Sequence, residues 1–436
     1  MTLKVAVVHD YLTQRGGAER VALAIYRAFP GARFITSVYD PAGTYPEFAD
    51  IGIETSWLQR VPLFRRDPRK ALPLLAHAFN RMPVDDVDVV ICSSSGWAHG
   101  IPTDAPKIVY CHNPARWLYQ PEDYLQTQPS PVRTLLKWAR PRLHTWDQRA
   151  AGQASSYLVN SSAVRQRVRG AYGISAKILP PPVSIEAEAE QSSPAGVTPG
   201  FFLIVGRARG YKNVEIVCRA FRELPDQRLI VVGGLPPGAN WPGNVTGVQN
   251  IPDAELRWYY ANCRAVIAVA HEDFGLTPLE GNAFGRPALV LRAGGFLDTL
   301  VEGVTGHYIE TLDPGSVVKT VRLSLDVGLD GRAILDHADR YSKKAFEAEL
   351  HREVQATLLA CAIRKRGGDA TTRHVPPPPA VIDLTEPAPA PWLSASWRDG
   401  DGPTVATVGA GRRQALRLPA KICHASADFA ARLSTR

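Results

Sequence analysis

Two carboxylates, Glu272 and Glu280, lie eight residues apart in the segment HEDFGLTPLEG, residues 271–281. Thr277 precedes a proline, and Glu280 follows Thr277 by three residues. This is the pattern of a capping box, which predicts that a helix begins here. Glu280 therefore either caps its own helix or accepts hydrogen bonds from a ligand, whereas Glu272, in the preceding loop, has no capping role.

The start of this predicted helix is suited to an anion. Free backbone N–H groups and the helix dipole attract phosphate, and Gly275 lets the backbone approach a ligand closely. Two carboxylates beside an anion site need a ligand that also carries neutral hydroxyl groups, because hydroxyl groups can donate to them. A sugar attached to a phosphate, such as a nucleotide sugar, meets both conditions.

Two cations follow an apolar run in the segment VGRARGYKN, residues 205–213. Arg207 can bind a diphosphate through two parallel hydrogen bonds, and Lys212 can add a compact positive charge. The alternative interpretation is a pair of solvated loop cations.

The first half of the chain contributes a glycine pair and a histidine. Gly16 and Gly17 lie between the apolar run VAVV and a helical pattern, where they form either a close approach to a ligand or a tight turn. His112, in CHNPARWLY, follows the apolar run IVY and is either a ligand-facing or a structural residue. The chain contains neither GxGxxG nor GxxxxGK[ST], so neither nucleotide-binding fingerprint applies.

Apolar runs that alternate with amphipathic stretches are expected to position these residues. The alternation predicts an α/β protein with parallel sheets, in which ligands bind at the carboxyl ends of the strands. It is interrupted by a proline-rich segment and then resumes, which predicts two domains. The predicted parts are a first domain (1–178), a linker (179–200), a second domain (201–342), a C-terminal helix (343–366) and a disordered proline-rich, basic tail (367–436).

Composition narrows the class of protein. The 436 residues carry a net charge of +8, which favours polyanionic partners. The six cysteines have neither metal-site nor disulfide spacing, and no metal site is expected. The start, MTLKVAVVHDY, is interpreted as a strand and not as a signal peptide, and no apolar run is long enough to span a membrane. The sequence predicts a cytoplasmic protein.

Basic residues interleaved with apolar ones occur in residues 57–81 and 133–149. Such a surface can bind anionic lipid at the inner face of the cell membrane. The alternative is a solvated basic face, and prolines prevent a long helix in the first stretch.

Together these motifs resemble glycosyltransferase family 4, whose GT-B fold has two facing Rossmann-like domains with parallel sheets. The resemblance covers about residues 3–360. It rests on Glu272 and Glu280 in HEDFGLTPLEGNAFGRP, on Gly206, Arg207 and Lys212, and on the N-terminal glycine loop. The segment CHNPARWLY resembles bacterial polysaccharide and lipopolysaccharide enzymes, many of them mannosyltransferases.

The resemblance implies a role for each motif. Arg207 and Lys212 would neutralise the donor diphosphate, Glu280 would accept from ribose hydroxyls, and Glu272 would accept from the transferred sugar. The backbone around Gly275, Leu276 and Thr277 would hold phosphate or sugar, and Gly16 and Gly17 would border the donor. His112 would contact the sugar from the opposite domain. Retention of anomeric configuration, no metal and no cofactor beyond the nucleotide sugar are also implied.

The expected function is that of a retaining hexosyltransferase. Mannose from GDP-mannose is the first candidate for the donor, and a saccharide or polyprenyl-linked acceptor in cell-surface glycan synthesis is expected. One alternative is a nucleotide-sugar epimerase of the same fold. A non-catalytic basic protein that binds nucleic acid or membrane is another, although no nucleic-acid-binding motif occurs.

Overall fold

The strands form two separate parallel sheets in the computed structural model, which describes residues 3–120, 130–206, 212–238 and 240–367. Arg207 and the predicted tail from residue 368 onward lie outside the described residues. Both sheets belong to one compact unit.

The first sheet has seven strands in the order β3-β2-β1-β4-β5-β6-β7. The strands are β1 (Val5–His9), β2 (Arg33–Thr36), β3 (Ile53–Thr55), β4 (Val89–Ser94), β5 (Lys107–Cys111), β6 (Ser156–Val159) and β7 (Lys177–Ile178). From β1 the chain adds β2 and β3 toward one edge of the sheet, and it then adds β4 to β7 toward the other edge. The switch point lies between β1 and β4, and ligands bind at such points in doubly wound folds.

The second sheet has six strands in the order β10-β9-β8-β11-β12-β13. The strands are β8 (Phe201–Val205), β9 (Leu229–Val232), β10 (Val245–Val248), β11 (Cys263–Ala268), β12 (Ala288–Leu291) and β13 (Gly306–Ile309). Here the switch point lies between β8 and β11. Residues 179–200, all of them described, contain no helix or strand.

The α-helices connect and cover the strands. They are α1 (Gly17–Arg27), α2 (Pro62–Arg66), α3 (Leu72–Asn80), α4 (Arg116–Tyr119), α5 (Ser130–Gly152), α6 (Ser162–Tyr172), α7 (Val214–Ala220), α8 (Asp253–Asn262), α9 (Leu276–Asn282), α10 (Phe296–Thr299), α11 (Pro314–Asp326), α12 (Gly331–Ala338) and α13 (Lys343–Gly367). None of the described helices is both long and apolar enough to cross a membrane.

Strand β1 illustrates why the sheets are buried on both faces. Ala6 and Val8 pack into one apolar cluster and Val5 and Val7 into another, so a continuous apolar run fits a central parallel strand. Helix α13 adds Phe346, Leu350 and Val354 to the second of these clusters. The predicted fold class, two Rossmann-like domains with parallel sheets, is confirmed.

Candidate functional site

A cavity of about 750 Å³ lies at the carboxyl ends of the two sheets, lined by segments that follow β1, β4 and β5 of one sheet and β8 and β11 of the other. The predicted site residues that line it are Gly17, His112, Lys212, Glu272, Gly275, Leu276 and Thr277. Of the other described candidates, Gly16 and Glu280 are outside its lining.

Helix α9 begins at Leu276, and the predicted capping box is wrong. Gly275 holds the N-cap position with a φ of 88°, and no side chain of the described residues caps the helix. Thr277 and Pro278 therefore lie inside the first turn, where a missing N–H is tolerated. A Cβ on Gly275 would lie 2.3 Å from Phe296 Cε1. The loop thus requires glycine for both its backbone conformation and its close packing.

Glu280 is bound by a tyrosine of the neighbouring helix instead of capping its own. The hydroxyl of Tyr260, on α8, donates to Glu280 Oε2 at 2.6 Å. Burial raises the pKa of the Glu280 carboxyl, and the hydrogen bond from Tyr260 and the charges of Arg20 and Lys212 oppose that rise. Glu280 is half-buried, and its carboxyl is held by Tyr260 within the influence of two positive charges.

Lys212 and Glu272 form an ion pair at the cavity wall, between Nζ and Oε1. The two side chains are 23% and 24% exposed, so solvent still reaches both. Asn213, in the left-handed backbone conformation, ties the lysine's loop to the end of β11, because its side chain donates to the Val269 carbonyl at 3.1 Å. The fold thus brings together a cation and a carboxylate that come from two separate motifs.

The glycine pair marks the start of helix α1 beside the cavity. Gly16 is the N-cap residue, and the helix begins at Gly17. A Cβ on Gly16 would lie 2.6 Å from Glu19 Oε2, and one on Gly17 would lie 3.9 Å from Leu276 Cδ1. Gly16 therefore leaves room for a buried carboxylate, and Gly17 faces the start of α9.

His112 follows β5 and lines the cavity. Its Nε2 lies 2.7 Å from the hydroxyl oxygen of Ser93. Burial, together with the neighbouring His9, lowers the pKa of the His112 imidazole to about 3, although the charge of Asp273 acts in the opposite direction. The ring is therefore neutral at neutral pH.

Replacing His112 by asparagine is expected to make the protein less sensitive to mild acid. The pKa of this imidazole is about 3 in the folded chain and about 6.5 in the unfolded chain. Between these values the unfolded state binds more protons, so the free energy of unfolding falls as the pH falls. The wild type should lose about 1–2 kcal/mol more than the variant between about pH 7 and pH 5, as measured by urea unfolding.

The matched control is His77→Asn, which replaces an exposed histidine on α3. It should leave the acid sensitivity of the wild type unchanged. A His112 variant that loses as much stability as the wild type would contradict the prediction.

Asp273 makes polar contacts across the cleft, a role that no sequence motif predicted. Its Oδ1 accepts from Arg167 Nη1 at 2.5 Å, and its Oδ2 accepts from Arg116 Nη2 and, at 3.1 Å, from Asn113 Nδ2. Burial acts to raise the pKa of this carboxyl, but the two guanidinium charges and their hydrogen bonds outweigh it and lower the pKa. One carboxylate thus joins the loop after β11 to two basic residues of the first domain.

Asp10, at the end of β1, is a second polar residue without a predicted role. Its carboxylate accepts from the backbone N–H groups of Ser95 at 2.6 Å and Ala98 at 2.7 Å. It therefore anchors the loop after β4 beside the cavity. The sequence signal for Asp10 was a carboxylate directly after a strand, and for Asp273 a carboxylate in the loop that follows β11.

The described residues contain no group of three or more His, Cys, Asp or Glu side chains that could hold a metal ion. Asp86, which forms a DxD pattern with Asp88 before β4, is paired with Lys4 at 2.9 Å. That aspartate is strongly exposed and is not part of the cavity lining.

Family models match most of the chain in two adjacent parts. The model described as Glycosyltransferase Family 4 matches residues 15–187, and the model described as Glycosyl transferases group 1 matches residues 186–347. The boundary between them falls in the segment that joins the two sheets.

The chain is similar in sequence to curated glycosyltransferases, of which two are described. The D-inositol 3-phosphate glycosyltransferase of Mycobacterium sp. (strain KMS) is 30% identical over 156 residues, which is 32% of this chain. The chain spans only 35% of that relative's length. The alpha-1,3/1,6-mannosyltransferase ALG2 of Homo sapiens is 21% identical over 406 residues, which cover 79% of this chain and 94% of ALG2.

Solved structures share the fold. The Anabaena HepE protein in complex with UDP-glucose matches with a TM-score of 0.59 and 17% identity, over 81% of this chain and 99% of HepE. Sucrose-phosphate synthase from Thermosynechococcus elongatus matches with a TM-score of 0.61 and 16% identity, over 82% and 100%. The two facing Rossmann-like domains and the cavity between their strand ends define a GT-B protein. The chain belongs to glycosyltransferase family 4.

Proposed function

We propose that the protein transfers a hexose from a nucleotide sugar to a saccharide or lipid-linked acceptor in cell-surface glycan synthesis. The observation that carries this proposal is the Lys212–Glu272 pair, which places a cation and a carboxylate side by side in a cavity between the two domains. A nucleotide sugar offers a diphosphate to the cation and hydroxyl groups to the carboxylate.

The proposed roles follow from charge. Breaking the bond between the anomeric carbon and the diphosphate leaves the electron pair on the diphosphate, and Lys212 stabilises that negative charge. Arg207, outside the described residues, is proposed to assist. Glu272 accepts from hydroxyls of the transferred sugar and Glu280 from ribose. The backbone of Gly275, Leu276 and Thr277 borders the sugar and phosphate.

The proposed transfer retains the anomeric configuration and uses no metal. The acceptor oxygen forms the new bond on the face that the diphosphate leaves, and its proton passes to the departing phosphate oxygen. Lys212, Arg207 and the backbone N–H groups supply the positive charge that a divalent ion supplies in other transferases.

Mannose from GDP-mannose remains the first candidate for the donor. The segment CHNPARWLY resembles mannosyltransferases of bacterial polysaccharide synthesis, and ALG2 is named as a mannosyltransferase. HepE, by contrast, was solved with UDP-glucose. The donor experiment therefore includes both guanine and uracil nucleotides.

The basic stretch at residues 57–81 supports a lipid-linked acceptor. Trp57, Leu63 and Leu74 are 39%, 51% and 37% exposed, and exposed basic residues lie among them. Apolar side chains interleaved with cations suit an anionic bilayer surface. We place the reaction at the cytoplasmic face of the cell membrane, with the first domain against the lipid.

Thermal unfolding with GDP, UDP, ADP and dTDP, each with and without EDTA, tests the donor site. A ligand at 100 times its Kd stabilises by about 2.7 kcal/mol through mass action. One nucleotide is expected to raise Tm equally in both conditions. Stabilisation by none of them, or only in the absence of EDTA, would contradict the proposed metal-free site.

A further inference from the structure

A row of three side chains extends from β1 to the cavity across adjacent strands. His9 is paired with Ser93 in the register of β1 and β4, and His112 follows β5, the next strand. His9 Nδ1 lies 3.0 Å from Ser93 Oγ and 3.1 Å from the Ser93 carbonyl oxygen. Ser93 Oγ lies 2.7 Å from His112 Nε2. The parallel register thus aligns three polar groups that are far apart in the sequence.

The contacts of His9 and Ser93 determine which group donates in each hydrogen bond of this row. A carbonyl oxygen can only accept, so Nδ1 of His9 carries a hydrogen and donates to Ser93. Ser93 is fully buried, and among the described residues its hydroxyl has no acceptor other than His112 Nε2. A buried hydroxyl left without an acceptor is costly, so the serine donates to Nε2.

This direction determines which nitrogen of His112 faces a ligand. Nε2 accepts from the serine, so the proton of the neutral ring is on Nδ1. Nδ1 makes no hydrogen bond to the described residues, and His112 lines the cavity. The ring therefore offers an N–H donor to whatever occupies the cavity.

We propose that Ser93 and His9 are positioning residues that hold His112 as the Nδ1–H tautomer, so that it donates a hydrogen bond to a hydroxyl oxygen of the transferred sugar. The identity of the recipient oxygen rests on the proposed function, whereas the tautomer rests on the hydrogen bonds alone. In this role His112 orients the sugar and transfers no proton.

The groups around the row keep the His112 ring neutral. His9 faces Glu19 of α1, whose Oε1 is 4.0 Å from His9 Nε2. His112 contacts the rings of His9 and Tyr110 and is influenced by the charge of Asp273. A second histidine beside it and limited access to water both disfavour an imidazolium at this position, so the ring remains a neutral donor at neutral pH.

Two-bond ¹H–¹⁵N correlation spectra of the full chain labelled with ¹⁵N-histidine test the tautomer without any substrate. The His112 signals, assigned by their loss in His112→Asn, are expected to have the Nδ1–H pattern at neutral pH. Ser93→Ala should shift His112 toward the Nε2–H form, and Ser93→Thr, which keeps the hydroxyl, should restore the wild-type pattern. An Nε2–H or imidazolium pattern in the wild type would overturn the proposal.

Kinetics provide the second readout. Ser93→Ala is expected to lower kcat/KM by about tenfold, the effect of one misdirected hydrogen bond, and Ser93→Thr should recover most of it. The matched control is Ser56→Ala, which removes another buried serine hydroxyl of the first domain that bonds to backbone and does not line the cavity. It should change neither the spectrum nor kcat/KM.

The two proposals can fail separately. An Nδ1–H tautomer in a protein that transfers no sugar from any tested nucleotide would overturn the proposed function and leave the tautomer standing. If His112 keeps the Nδ1–H tautomer in Ser93→Ala and the protein does transfer sugar, only the positioning role is overturned.

Discussion

Replacing Lys212 by methionine is expected to lower kcat/KM for the nucleotide sugar by about 100- to 1,000-fold, the range found when one preorganised donor to a developing negative charge is lost. Methionine keeps the length of the side chain and removes the charge. The ammonium is already held at the cavity wall by Glu272, and the side chain is 23% exposed, so the charge is directed before the donor arrives. Initial rates over a range of donor concentrations measure the effect.

Lys177 is a matched control. Its Nζ lies 2.8 Å from Glu353 Oε1, and neither residue lines the cavity. Lys177→Met should alter kcat/KM by less than about twofold, because the lysine side chain is 61% exposed and neither partner of the pair lines the cavity. Equal losses in the two variants would show that Lys212 acts through folding. An unchanged rate in Lys212→Met would remove it from the site.

The parts of the fold that depend on local sequence could be predicted. A buried parallel strand is apolar on both faces, so runs such as VAVV and FFLIV identify strands without knowledge of their neighbours. The amphipathic stretches between them similarly identify helices. Lys212 and Glu272 could be proposed because each lies in a segment that follows a strand, and strand ends in this class of fold gather at one edge.

The rest of the site depends on contacts between distant parts of the chain. Asp273 is the residue after Glu272, but its partners Arg116 and Arg167 are 157 and 106 residues away in sequence. Ser93 and His9 are 84 residues apart and meet only through strand register. The capping box failed for a local reason, because Gly275, in the left-handed conformation, is the N-cap residue and the helix begins at Leu276, one residue before Thr277.

Replacing Asp273 by alanine is expected to lower the free energy of unfolding by about 2–4 kcal/mol. Removing one partner of a buried ion pair costs about 3–5 kcal/mol, and the lower range allows for the partial exposure of this network, in which the Asp273, Arg167 and Arg116 side chains are 21%, 29% and 56% exposed. The loss arises because two guanidinium groups are left facing each other without their shared anion. Urea unfolding at neutral pH measures it.

Two measurements distinguish the loss of the shared anion from a simple loss of packing: the pH dependence of the effect and the stability of a triple variant. The pKa of Asp273 is lowered, so its contribution is complete above the unfolded value of about 3.9 and disappears as the pH falls through the folded value. The difference between wild type and variant should therefore shrink in acid. Removing Arg116 and Arg167 together with Asp273 should restore part of the lost stability, because no unpaired charge remains. A triple variant less stable than Asp273→Ala would instead show that the arginine side chains stabilise the cleft by packing.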